Sequence, residues 1–313
     1  MILDDFLIYT DKGLYCRYGD FFVDPKEGVN KAIISHAHGD HAAKGNIHVY
    51  CTAGTAAIMS LRLKKNAGKE FFTFNYKTVF KINEVLISFY PAGHILGSAL
   101  ILMEFEHTRY LYTGDFKVQP DETCEALELA QADVLITETT FANPETIHPN
   151  VETEILKLNA SRHNILLGAY SLGKTQRLIN LINRFCTDKT IFLHHSMLGI
   201  TKIYEQFSYF PGKYEPYNRK LLKSPNQGFV YIVPPLTFES YFRAKNVLRV
   251  FASGWKRLQH QNDLELYISD HADWTDILTT IAIVKPLEIW TLHGDGIPLK
   301  NYFEGKLPVK ILN

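Results

Sequence analysis

The chain changes texture twice. Up to about residue 140 its apolar positions come in short runs, rich in β-branched and aromatic side chains and bounded by Gly, Asp or Pro, the pattern of strands joined by turns. Such runs predict strands at 20–24, 32–35, 85–90, 99–105, 109–112 and 133–136. One stretch breaks the pattern: Thr52-Ala53-Gly54-Thr55 opens a segment carrying Ala56, Ala57, Ile58, Met59 and Leu61, which predicts a helix over 52–63. From about Val151, apolar strands at 165–167, 190–193 and 228–233 alternate with helical stretches, as in a small parallel α/β domain. Near Leu266 the first texture returns. That order predicts one domain split around another, with boundaries at 1–150, 151–260 and 261–313.

Composition sharpens this outline. A chain of 313 residues with 46% hydrophobic content has enough apolar mass for two cores. Asp4 and Asp5, with no basic residue ahead of an apolar stretch, are the wrong start for a signal peptide, and no apolar run nears the ~20 residues that span a bilayer. The expectation is a soluble, cytoplasmic protein without membrane contact. Cys16, Cys51, Cys124 and Cys186 lie far apart, which predicts reduced thiols and neither a disulfide framework nor a thiolate zinc site. Lys+Arg and Asp+Glu balance at 33 each, yet residues 151–260 hold 16 of the bases and only 6 of the acids. The insert is basic and the surrounding body acidic.

Candidate chemistry concentrates in the acidic body. Directly after the apolar strand at 32–34 comes Ser35-His36-Ala37-His38-Gly39-Asp40-His41. On an extended backbone His36 and His38 project to one side, and the turn at Gly39 can bring Asp40 and His41 to the same point. Three imidazoles and a carboxylate so close together suit zinc or a similar divalent ion. His94, Asp115, His271 and His293 each follow a strand in a turn with Gly or Asp beside it, and together with the His-rich loop they imply a second ion. His48, His107, His148, His163, His194, His195 and His260 lack this context and read as structural.

In this order the motifs resemble the metallo-β-lactamase superfamily, whose signature is H-x-H-x-D-H followed by a separate His, a bridging Asp and a final His. The resemblance implies an αββα sandwich holding two divalent ions, zinc first and manganese as the other option. One ion would sit on His36, His38 and His94, the other on Asp40, His41 and His293, with Asp115 bridging and Asp40 also orienting water. Two-metal hydrolysis of a phosphodiester then follows from a shared water whose pKa falls toward neutrality. Thr137-Glu138-Thr139-Thr140-Phe141 looks like motif A of the β-CASP nucleases, His271 like their motif B and His293 like motif C. By that likeness the insert is a parallel α/β β-CASP domain, and Glu138 holds His271 as general acid. Thr10-Asp11-Lys12-Gly13-Leu14-Tyr15-Cys16, Asp20-Phe21-Phe22-Val23-Asp24-Pro25, Pro91-Ala92-Gly93-His94-Ile95-Leu96-Gly97-Ser98-Ala99 and Ile268-Ser269-Asp270-His271-Ala272-Asp273-Trp274 resemble the bacterial DNA-ligase-associated exonucleases. The implied function is a DNA exonuclease on single-stranded or frayed ends in repair, associated with a ligase and a helicase. A His in motif C is also the pattern of RNA-processing members, so an RNA-processing nuclease is the alternative. A non-catalytic nucleic-acid scaffold and a small-ester hydrolase are further rivals.

The basic insert fits a phosphate-tracking role. Tyr204, Phe207, Tyr209, Phe210, Tyr214 and Tyr217 interleave with Lys202, Lys213, Arg219 and Lys220, a composition suited either to stacking bases or to a core with a solvated face. Gly168-Ala169-Tyr170-Ser171-Leu172-Gly173-Lys174-Thr175 fits the nucleotide-binding pattern G-x-x-x-x-G-K-[ST], but no later strand ends in an Asp placed to hold magnesium. Ser171, Lys174 and Arg177 are therefore expected to contact nucleic-acid phosphate, not ATP.

Overall fold

The computed structural model describes residues 1–218, 228–242, 246–260 and 262–312. They form two compact units, Met1–Ile147 joined by the segment from His271 onward, and His148–Asp270.

The first unit is built on two sheets. One has strand order β1 (Leu7–Thr10), β2 (Gly13–Cys16), β3 (Phe21–Val23), β4 (Lys31–Ile33), β5 (His48–Cys51) and β6 (Glu70–Thr73). The other runs β18 (Val309–Ile311), β17 (Glu288–Gly294), β11 (Val134–Thr139), β10 (Thr108–Tyr112), β9 (Ala99–Phe105), β8 (Val85–Pro91) and β7 (Phe80–Ile82). Period-two alternation assigns each strand's faces. In β9, Ala99, Ile101, Met103 and Phe105 enter the core between the sheets, beside Phe6, Phe21 and Ile33. Its Leu100 and Leu102 face the opposite way, into a second cluster with Trp274, Ile277 and Ile281 of helix α6 (Trp274–Val284) and Leu299 of α7 (Ile297–Tyr302). Helix α1 (Ala53–Leu63) belongs to the first-sheet half, its Thr52 side chain capping the Thr55 amide. The sandwich is thus the αββα arrangement expected.

Strand direction decides where chemistry can collect. β8, β10, β11 and β17 all run the same way, and so do β3, β4 and β5. Their carboxyl ends meet along one edge of the sandwich, and His36, His94, Asp115, Glu138 and His293 lie at or just past those ends.

The second unit is a five-stranded parallel sheet of order β14 (Glu215–Pro216), β13 (Ile191–Leu193), β15 (Val230–Val233), β12 (Asn164–Gly168) and β16 (Val247–Phe251). Helices α2 (Val151–Leu156), α3 (Lys174–Phe185), α4 (His195–Gln206) and α5 (Pro235–Ser240) connect or flank its strands. Leu266 and Ile268 are buried in its core with Ile165 and Val250, so the chain leaves this unit at Asp270, later than the expected 261. In the acidic stretch 262–270 Asp263 and Glu265 are exposed and Asp270 is buried within this unit, so the change of texture does not mark a change of core.

All four cysteines are buried and free. Burial pushes the Cys16 thiol up to about 11, which leaves it protonated and unreactive near neutrality. Among the described residues no helix is long and apolar enough to cross a membrane.

Candidate metal centre

The loop after β4 delivers the histidines. His36 Nε2 lies 3.1 Å from His38 Nδ1, and His94 Nε2 also lies 3.1 Å from that atom. Asp115 Oδ2 stands 3.5 Å from His36 Nε2 and 3.8 Å from His94 Nε2. These four residues converge within 4.8 Å of one another. A zinc ion with bonds near 2.0–2.1 Å separates tetrahedral ligands by about 3.3 Å, so the donor spacing, in a buried pocket of imidazole nitrogens and one carboxylate, fits a divalent ion.

Around this cluster runs a second set of contacts. Ser35 Oγ is 3.0 Å from His36 Nδ1, which leaves Nε2 for the centre. Asp24, buried at the end of β3, accepts from the Ser35 amide at 2.7 Å, from Ser35 Oγ at 2.5 Å and from the Tyr112 hydroxyl at 2.9 Å, and it meets His41 Nδ1 at 2.8 Å. With Nδ1 thus engaged, His41 Nε2 points to Asp115 Oδ1 at 3.3 Å. Burial works against a charge on His41, yet Asp115 and Asp24 together raise its pKa well above the ordinary value. Burial also opposes the charge on Asp115, but His41 and His271 hold it well below the usual carboxylate range. His36 is pushed well down by burial and then by His41, which keeps its ring neutral and able to ligate.

No site role was expected of Asp24, Ser35 or Tyr112. Asp24 falls in the family-like stretch 20–25, but an Asp-Pro step after an apolar run reads first as a turn. Replacing Asp24 by Asn is expected to weaken metal affinity roughly 10–100-fold, because a carboxylate that fixes a ligand's tautomer and orientation is lost. Chelator competition on the purified variant measures this, and an unchanged affinity would show that His41 needs no such anchor.

The remaining expected site residues fall at graded distances. Glu138 is 1% exposed, its Oε1 accepting from the Phe116 amide at 2.9 Å and its Oε2 from Thr140 Oγ1 at 2.7 Å. The same Oε2 meets His271 Nδ1 at 2.8 Å, and His271 Nδ1 is 3.8 Å from Asp115 Oδ2. His293 stacks obliquely on His41 with ring centroids 4.9 Å apart. A β-bulge places it there: Glu138 pairs with Leu292 and Thr139 with Gly294, so His293 is the extra residue and turns out of the strand, with φ of 54°. Gly294, at φ of 146°, lies so close to Thr139 O that a Cβ would collide with it, so no other residue fits there. Asp40 is the outlier. Its side chain is 78% exposed and its Oδ2 lies 3.9 Å from His41 Nε2, at the rim of the cluster.

The phosphate contacts expected of the insert are not where the motif suggested. Lys174 and Arg177 are 3% and 1% exposed. Lys174 Nζ lies 3.1 Å from Asp270 Oδ2 and donates to Ile268 O, while Arg177 Nη1 meets Asp270 Oδ1 at 3.1 Å and Ser269 O. The lysine of the G-x-x-x-x-G-K-T stretch therefore turns inward to a carboxylate, away from its own loop, which corrects the phosphate role given to Lys174 and Arg177. Ser171, partly exposed, has its carbonyl held by Gln176 Nε2. Of the aromatic series, Tyr204 is fully buried and Tyr217 stacks on Tyr231 at 3.8 Å, both core roles, whereas Phe210 is exposed. Arg219 and Lys220 lie outside the described residues.

A two-sheet αββα body with clustered His and Asp at one edge defines a metallohydrolase-type protein. The Beta-lactamase superfamily domain matches residues 22–195. Over 298 residues, 90% of this chain and 28% of the other, the chain is 33% identical to a probable DNA ligase of Opitutus terrae. It is 29% identical over 233 residues to an RNase J-like protein of Methanocaldococcus jannaschii, covering 64% of this chain and 55% of that one. It thus spans between about a quarter and about half of these relatives' lengths. A crystal structure of a protein of unknown function from Enterococcus faecalis V583 shares the fold, with a TM-score of 0.57 at 16% identity over 90% of this chain and 79% of that one. The chain belongs to the metallo-β-lactamase superfamily.

Proposed function

We propose that the protein is a metal-dependent nuclease that removes nucleotides from single-stranded or frayed DNA ends in repair, in the cytoplasm and beside a ligase. The observation that carries this reading is the Glu138–His271 pair at 2.8 Å, standing 3.8 Å from Asp115 and next to the His36/His38/His94 cluster. Cleaving a phosphodiester expels an alkoxide that needs a proton, and a carboxylate-held imidazole beside the cluster is placed to supply it.

In this reading His36, His38, His94 and Asp115 hold one divalent ion, zinc or manganese, and His41, Asp40 and His293 with Asp115 hold the other. The ions supply an activated water and neutralise charge on the phosphate oxygens. Asp24 keeps His41 in its ligating tautomer, Asp40 at the rim orients water, and Glu138 aims the His271 ring at the leaving oxygen. DNA is favoured because the match to the probable DNA ligase extends over 90% of this chain, against 64% for the RNase J-like protein. The RNA reading rests on that second relative and on His293.

The test is digestion of 5′-labelled and 3′-labelled DNA and RNA oligonucleotides of one sequence in zinc or manganese. Metal-dependent release of mononucleotides from DNA, absent from a His36→Ala/Asp115→Ala variant, is expected. RNA-only cleavage would move the protein to RNA processing, and cleavage of neither would remove the nuclease reading.

A further inference from the structure

A cavity of about 330 Å³ lies within the first unit against the metal-centre residues, with Asp24, Asp40 and His293 on its wall. Its opposite rim carries Tyr9 and Lys26, which the nuclease reading leaves without a task. Tyr9 sits on β1 and is 37% exposed, although large apolar rings on a strand usually turn inward. The Lys26 ammonium stands 4.6 Å from the centre of the Tyr9 ring. Among the described residues Lys26 forms no ion pair, and it is the single Lys or Arg on this wall.

The rim is pinned. The Lys26 amide donates to Lys12 O at 2.8 Å, and Thr10 Oγ1 donates to Gly13 O at 2.9 Å. Gly13, at φ of 114°, lets the β1–β2 turn close onto Pro25, whose Cα would lie 3.3 Å from a Cβ at that position. An aromatic face and a cation are thereby fixed beside the residues that face the ions, at the mouth of a cavity near the lower end of the ~300–1,000 Å³ range of small-ligand sites.

We propose that this cavity is a mononucleotide subsite, taking the base of one nucleotide on Tyr9 and its phosphate on Lys26. The inference rests on the nuclease reading and deepens it: a pocket of about 330 Å³, of a size to hold one nucleotide, suits the removal of terminal nucleotides. An anion arriving at Lys26 draws the ammonium off the ring, and the exposed cation–π contact it gives up is weaker than the base stack that replaces it.

The test is calorimetric titration of the metal-loaded protein with deoxyadenosine monophosphate and with deoxyribose 5-phosphate, on wild type, Tyr9→Ala and Lys26→Ala. Tyr9→Ala is expected to weaken deoxyadenosine monophosphate binding roughly five- to a hundredfold and to leave deoxyribose 5-phosphate unchanged. Lys26→Ala is expected to weaken both. Equal binding of the nucleotide by all three proteins, or none by wild type, overturns the subsite. Should Tyr9→Ala fail to fold, Tyr9→Leu keeps the apolar contact without the ring and must show the same selective loss. Selective loss in a protein that cleaves no oligonucleotide would keep the subsite and remove the nuclease, whereas cleavage with unchanged binding would do the reverse.

Discussion

Replacing His271 by Ala is expected to slow phosphodiester cleavage about 10²–10⁴-fold while leaving the metal content as in wild type. The ring is 27% exposed, and its Nδ1 meets a Glu138 that is itself fixed by a backbone amide and a hydroxyl. A carboxylate at one ring nitrogen orients the imidazole, as a proton donor to a leaving oxygen requires. The competing role is ligation, since His271, Glu138 and Asp115 also converge within 4.8 Å. Two measurements separate them. Elemental analysis of the variant shows whether an ion has gone. A substrate with a p-nitrophenolate leaving group, which departs without a proton, should be hydrolysed nearly as fast by the variant as by wild type. A variant that lost an ion, or was equally slow on both substrates, would place His271 among the ligands.

The second large effect is on stability. Replacing Asp270 by Ala is expected to cost about 3–5 kcal/mol, because it removes a buried carboxylate that both Lys174 and Arg177 meet at 3.1 Å. Exposed pairs such as Lys12–Glu27 should contribute no more than about 1 kcal/mol, because water already solvates both partners. Urea denaturation followed by tryptophan fluorescence and circular dichroism measures both. Adding Lys174→Met and Arg177→Met to Asp270→Ala should recover most of the loss, since an apolar trio of similar volume needs no counter-charge. A midpoint for Asp270→Ala no lower than that of a Lys12→Ala control would mean that the two cations find other partners.

This network also shows where reading the sequence stops. The His-rich loop and the Gly-bracketed His and Asp turns were legible because each follows an apolar strand, and parallel strands bring such positions to one edge. The strands predicted at 85–90 and 99–105 recur as β8 and β9 because their alternation is long and regular. β1 and β6 were missed because their positions are mostly exposed or half-exposed and show no buried alternation, and β2 was missed with its partner β1. The role of Asp24 was hidden because its partners, Ser35, His41 and Tyr112, come from the loop after another strand and from the other sheet. Lys174 misled for the same reason in reverse. A local pattern fixed its residue type and loop, but the direction of its side chain was decided by a carboxylate at position 270 that no spacing rule connects to it.

The strand order β18-β17-β11 has a consequence for how the molecule comes into being. β11 is synthesised with one edge bare, and its parallel neighbour β17 emerges only after the whole of 148–270. That contiguous stretch has its own core and can condense while the outer sandwich waits, since closing so long a loop is slow. His293 and the bulge that turns it arrive with β17. Until then the His-rich loop has no finished edge to close against, so a nascent chain from which 148–270 has emerged but 288–294 has not carries a folded basic unit and an open sheet, and its metal-ligand set is completed only when the last strands dock.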